Sequence, residues 1–159
     1  MRFTPRVADP LVDSLEAVAK GLGMELVELS QSRFRGAVRI RAVVCGREPV
    51  GLEHCSRLHH ALSPRLELAF PGREVYLEVS SPGIDRLIKD GSEFVHYIGR
   101  GIKCYRRDIS DWSGGILTAA DSSGIILKSG DEEMKLKYEL IAKAKLDYSQ
   151  EVEKLWQRI

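Results

Sequence analysis

Apolar residues recur at Leu11, Leu15, Val18 and Leu22, three or four apart, which is the period of one helical face. Asp9 and Pro10 stand just before them. An Asp cap and a Pro in the first turn open a helix, and Gly21 and Gly23 can close it. The stripe predicts core packing. Residues 24–30 read as a strand, followed by a polar turn over residues 31–36. The period then becomes two: Val38, Ile40, Ala42 and Val44 share one face, while Arg39 and Arg41 share the other. Two strands and a short turn predict a hairpin. Residues 46–51 are a loop. Residues 52–66 return to helical spacing, with Leu52, Cys55, Leu58 and Leu62 inward and Pro64 bending or ending the helix. Phe70-Pro71-Gly72 is a turn, and residues 74–79 alternate as a third strand.

The first half is therefore αββαβ. A three-stranded sheet backed by two helices is the simplest way to bury both stripes, and a helical crossover to a parallel third strand is right-handed. The pattern changes after Ser81-Pro82-Gly83. Residues 93–98 can form a short helix, with Ser92 as cap and Gly99 as stop. Short strand-like runs follow at 102–105, 115–119, 124–127, 134–138 and 144–146, with strong turn signals at Asp121-Ser122-Ser123-Gly124 and Ser129-Gly130-Asp131. Five short strands at this spacing predict a small closed β-barrel. The fold class is thus α+β. Residues 1–84 form an N-terminal α/β domain, 85–91 a linker, 92–148 the barrel and 149–159 a helical tail. The tail places Val152, Leu155, Trp156 and Ile159 on one face, to pack on the barrel or engage a partner.

Composition narrows the class. The 159 residues are 43% hydrophobic and 30% charged, as in a globular domain. No run approaches the roughly 20 apolar residues of a membrane span. The first six residues lack an apolar signal core, so a cytoplasmic location is expected. Cys45, Cys55 and Cys104 are odd in number and scattered, which suits a reducing compartment and small buried side chains. The net charge of +1 argues against a protein that coats RNA. Any nucleic-acid contact is expected to be local, and a protein partner fits equally well.

Little points to catalysis. Cys55 and His59 are neighbours on a helix that also holds His54 and His60, which could begin a zinc site or a thiol–imidazole pair. Structural zinc takes four ligands, however, and no paired-cysteine motif supplies the rest. Burial on the apolar stripe explains Cys55. No phosphate-binding glycine loop and no carboxylate pair for acid–base work is present. No catalytic residue, cofactor or metal is expected. Two basic groups remain. Arg33, Arg35, Arg39, Arg41 and Arg47 lie on the hairpin and its exit, opposed by Glu48. Arg100, Lys103, Arg106 and Arg107 lie at the first barrel strand. Either group could meet RNA phosphates, and a solvated strand face looks the same. The barrel's candidate aromatics for RNA are Tyr105, Trp112 and Tyr138.

Val79-Ser80-Ser81-Pro82-Gly83-Ile84-Asp85-Arg86 is different in kind. Pro82-Gly83 presets a tight turn. A rigid connector explains those two residues and leaves the serines and the Asp-Arg pair open. With Leu77-Glu78 before it, the run resembles the signature of the RimP ribosome maturation factors: a strand ending in Val-Ser-Ser-Pro-Gly, then Leu or Ile, then Asp-Arg. Gly23-Met24-Glu25-Leu26-Val27, Cys55, residues 94–99 and Ile141-Ala142-Lys143-Ala144-Lys145-Leu146 follow the same order, so the resemblance covers about residues 8–148. Leu87 stands where the family usually has Pro, leaving the linker freer. Lys145 replaces a common Arg, and the near-neutral charge departs from the acidic balance of many members.

The resemblance implies an N-terminal α/β domain and a C-terminal SH3-like barrel. It implies a non-catalytic protein that binds the immature small (30S) ribosomal subunit and assists late assembly, including incorporation of a basic small-subunit protein near the decoding centre. A basic client favours carboxylates: Glu74, Glu78 and Asp85 are the candidates, with Ser80, Ser81 and Arg86 completing a partner-binding run. Arg33, Arg35, Arg39, Arg41, Arg100, Lys103, Arg106 and Arg107 would contact rRNA. The expected state is a monomer without membrane contact. The alternative is a general RNA-binding module that uses the barrel.

Overall fold

The structure, a computed structural model, describes residues 1–46 and 50–151. Arg47 and Glu48 of the first basic group, and the tail face of Val152, Leu155, Trp156 and Ile159, lie outside the described residues. The chain divides into two compact units. One is Val7–Pro82; the other joins Met1–Arg6 to the chain from Gly83 onward.

In the first unit, helix α1 (Pro10–Gly21) starts where the carboxylate of Asp9 accepts from the N–H groups of Leu11 and Val12 at 2.9 and 3.3 Å. Strand β1 (Met24–Phe34) pairs antiparallel with β2 (Ala37–Gly46), helix α2 (Leu52–Ala69) crosses over, and β3 (Val75–Ser80) joins β2 in parallel. The sheet has the three strands expected, and their order is β1-β2-β3. Leu15 and Ala19 of α1, Leu58, Leu62 and Leu66 of α2, and Val38, Ile40, Ala42 and Val44 of β2 form one buried core. Three local readings differ. The expected turn over residues 31–36 is strand as far as Phe34, because Ser32, Arg33 and Phe34 pair with Arg39, Val38 and Ala37. Only Arg35 and Gly36 turn, with φ of 50° and 81°, as a tight two-residue hairpin requires. Helix α2 does not stop at Pro64, which lacks the N–H for the preceding turn. It runs to Ala69, three residues past the expected end at Leu66, whose side chain is buried, while the Ser63 hydroxyl bonds the His59 carbonyl at 2.8 Å. Leu52, expected inward, is exposed at the first turn of α2.

The second unit contains β4 (Leu87–Ile88), a 3-10 helix over Gly91–Tyr97, β5 (Gly101–Arg106), β6 (Asp111–Ala120), β7 (Gly124–Ser129), β8 (Glu132–Lys137) and β9 (Ile141–Leu146). These form a six-stranded antiparallel sheet in the order β4-β9-β5-β6-β7-β8. Ile88, Phe94, Tyr97, Ile102, Cys104, Leu117, Ile125, Leu127 and Ile141 are among its buried side chains. Strand β4 lies within the segment read from sequence as a linker. Two residues are too few to show a period, yet Ile88 is buried and Leu87 pairs with Lys145. The 3-10 helix is capped by Asp90 rather than Ser92, since the Asp90 carboxylate accepts from the Ser92 N–H at 2.9 Å. Tyr138 opens a 3-10 turn after β8 instead of ending the strand. It is buried between the rings of Phe3 and Phe94, at 5.8 and 6.1 Å, and its hydroxyl donates to the Asp121 carbonyl at 2.5 Å. Burial pushes its phenol up to about 12. Tyr138 is therefore a core residue and no aromatic surface for RNA.

Candidate functional site

The signature run falls on both sides of the division between the units. On the first, β3 places Glu78 exposed beside Arg41, its register partner on β2. The next residues, Ser80 and Ser81, differ: the Ser80 hydroxyl is buried with no hydrogen-bond partner among the described residues, and Ser81 is exposed. On the second, the Arg86 N–H donates to the Gly83 carbonyl at 3.1 Å and closes a turn. Asp85 stands exposed on that turn. Arg86 is turned inward. Its Nε donates to Glu93 Oε1, the same oxygen receives the Tyr97 hydroxyl at 2.8 Å, and its own carbonyl accepts from Leu146 at 3.0 Å. Both charged side chains of that pair are largely buried. The two neighbours thus have different environments: Asp85 faces water, and Arg86 holds the second unit together. Glu93 is absent from any sequence motif, because a pairing across a turn and a 3-10 helix follows no fixed spacing.

The hairpin arginines separate by strand parity. Arg39 and Arg41 lie on the sheet face opposite the helices, in register with Ser32 and Ser30 on β1 and with Tyr76 and Glu78 on β3. Arg33 pairs with buried Val38 and so belongs to the other face. Arg35 sits in the turn with its guanidinium 5.1 Å from the Phe34 ring. The residues brought together are therefore Arg39 and Arg41, with exposed Phe34 and Tyr76 on the same face.

The second basic group is sorted more sharply. Arg100 is ion-paired to Glu151 at 2.7 Å. Arg106 makes a two-pronged contact with Asp108, at 2.6 and 3.1 Å. Arg107 is exposed in the turn after β5. Lys103 remains on the strand face and gains neighbours that sequence proximity did not show. It stands opposite Lys145 of β9, Tyr105 stands opposite Lys143, and on the other side Tyr105 stands opposite Trp112 of β6. The Lys103 and Lys145 ammonium groups lie 5.1 and 5.8 Å from the Trp112 ring, and Tyr105 meets that ring edge-on at 5.5 Å. Trp112 is 40% exposed. Like charges directly across a ladder oppose each other, so two lysines about an exposed indole, with Lys143 opposite Tyr105 on the same face, form an arrangement suited to an anion with flat apolar faces. Alternation along residues 141–146 was the available signal for Lys143 and Lys145.

The cysteine–histidine group takes on structural roles. His59 Nε2 lies 3.0 Å from the Leu77 carbonyl, tying α2 to β3. Burial raises the Cys55 thiol above its ordinary value, which disfavours the thiolate needed for attack or metal binding. Cys104 is fully buried and pushed up to about 12 by burial. No further His, Cys, Asp or Glu joins Cys55 and His59 in a three-ligand cluster among the described residues.

Comparison with known proteins bears on this geometry as a whole. Residues 14–85, which contain the sheet, α2 and the run up to Asp85, match the family model of the RimP N-terminal domain. The chain is 31% identical over 132 residues to the ribosome maturation factor RimP of Borrelia turicatae (strain 91E135), covering 83% of this chain and 90% of that one. The Borrelia hermsii (strain HS1 / DAH) protein of the same name gives the same identity and coverage. That of Borrelia recurrentis (strain A1) is 29% identical over 136 residues, covering 86% and 93%. A relative above 30% identity spanning both units shows that this chain belongs to the RimP ribosome maturation factor family.

Proposed function

We propose that the chain is a non-catalytic, cytoplasmic ribosome maturation factor that binds the immature small ribosomal subunit as a monomer and assists its late assembly. Family membership along most of the chain carries this reading. The charge distribution supports it: a net charge of +1 conceals a cationic strand face on one unit and exposed carboxylates elsewhere. In this reading exposed carboxylates on each unit taken by itself, Glu78 beside Ser81 on the first and Asp85 on the second, are candidate contacts for a basic small-subunit protein that docks near the decoding centre. Arg39, Arg41 and the lysines about Trp112 contact rRNA. The antiparallel sheet of the second unit, whose edge strands β4 and β8 do not pair to close the barrel that the sequence predicts, presents those lysines. An assembly factor must favour the immature particle over the mature one, since a ligand shifts an equilibrium only by its difference in affinity.

The test is sedimentation of cell lysate through a sucrose gradient in gentle salt, probing for this chain. Co-migration with free small subunits and absence from joined ribosomes is the expected result. Migration solely as free protein contradicts it. The cluster at Trp112 also favours a second reading, a general RNA-binding module, which expects equal binding to small-subunit precursors and unrelated RNA.

A further inference from the structure

We infer that the outer strand face formed by Lys103, Tyr105, Trp112, Lys143 and Lys145 binds single-stranded RNA, stacking an unpaired base on Trp112 while the lysines take the flanking phosphates. The inference deepens the ribosomal reading, and the choice of RNA over DNA rests on it; the base-and-phosphate chemistry rests on the face itself.

Three observations converge. First, alternation places these five side chains on one face of three adjacent strands, β9, β5 and β6, within one unit. Second, the face is cationic without an ion pair for its lysines among the described residues. The Lys103 charge also acts on Asp147, whose carboxylate lies below its ordinary value; burial pulls it upward, while hydrogen bonds from Ser149 and Gln150 and the Lys103 charge outweigh that effect. By contrast, Arg100 and Arg106 already hold carboxylates. Third, the lysines converge on an aromatic ring. Lys103 and Lys145 face each other across the ladder, an unfavourable pairing that the indole partly relieves by attracting both ammonium groups. A phosphate satisfies the same two cations better than the ring does and leaves the ring for a base.

The combination selects among anions. An acidic peptide would use the lysines and leave Trp112 and Tyr105 unexplained. Duplex RNA hides its base faces and presents phosphates and hydroxyls. A single strand offers both phosphates and free π-faces, and aromatic stacking tolerates any base. Leu87, half exposed beside Lys145, extends the face with an apolar edge.

The experiment uses the full chain carrying Trp156→Phe, so that Trp112 is the sole tryptophan, and an unstructured 12-nucleotide pyrimidine RNA. Saturable quenching of Trp112 emission is expected. Binding to the labelled oligonucleotide, read by anisotropy, should weaken about tenfold in Trp112→Ala and change little in Trp112→Phe. The double variant Lys143→Ala/Lys145→Ala, at surface positions tolerant of truncation, should lower the log–log salt slope by about 1.4. Absence of quenching overturns the inference. So does equal affinity for a 12-base-pair RNA duplex or a polyglutamate peptide, or an unchanged salt slope in the lysine variant. If oligonucleotide binding fails while small-subunit association persists, this inference falls and the ribosomal reading stands. If association fails while the oligonucleotide binds, the reverse holds.

Discussion

Asp85 and Arg86 are consecutive, yet the physics of each differs. Arg86 and Glu93 are removed from water together, so truncating one strands the other's charge. Arg86→Ala should destabilise the second unit by about 3 kcal/mol, measured by urea unfolding. Asp85→Ala, on an exposed turn, should leave unfolding unchanged within about 0.5 kcal/mol and weaken small-subunit association. Loss of folding in Asp85→Ala would make it a connector residue. Asp90 gives a pH signature. Burial raises its pKa, but bonds from the Thr4 and Ser92 hydroxyls and N–H groups prevail and hold it at about 2, against an ordinary 3.8. A depressed folded-state pKa stabilises fully above the unfolded value, and that stability is lost as pH falls through the folded one. Asp90→Asn should therefore be less stable than wild type at neutral pH, and the gap should close between pH 3.8 and about 2. A gap that stays constant through that range, followed by acid titration of thermal unfolding, would contradict the assignment.

At the scale of elements, legibility followed period. The helix stripe of Leu11, Leu15 and Val18 and the alternation of β2 were readable because one face is buried and the other wet. Strand β1 outran its reading because Ser32 and Arg33 are polar; their strand conformation comes from pairing with β2, a non-local effect. Strand β4 is too short to carry a period. The helix across Pro64 was legible as far as Leu66, because the apolar stripe continues through the proline; its last three residues, to Ala69, carry no such signal. Restoring the missing N–H should help, so Pro64→Ala is expected to raise stability by about 2 kcal/mol in thermal or urea unfolding. No gain would mean that α2 already accommodates Pro64 without cost. The candidate sites show the same division. Basic residues were visible as runs, but a run does not state which cations are neutralised. Arg106 bonds a residue two positions away, and Lys103 joins lysines forty positions later, a distinction set by the ladder of β9 on β5.

For the whole molecule, the near-zero net charge results from opposed local charges: arginines held by carboxylates within the fold, and lysines left on one strand face. Such a protein gains little from bulk attraction to RNA and depends on recognition of a particular surface. That separates an assembly factor from an RNA coat and makes preference between particles the decisive quantity. The direct measurement is binding of the purified chain to immature and mature small subunits by co-sedimentation at near-physiological salt. The account predicts at least about tenfold tighter binding to the immature particle, a difference of about 1.4 kcal/mol. Equal affinity for both particles, or binding to neither, would contradict it.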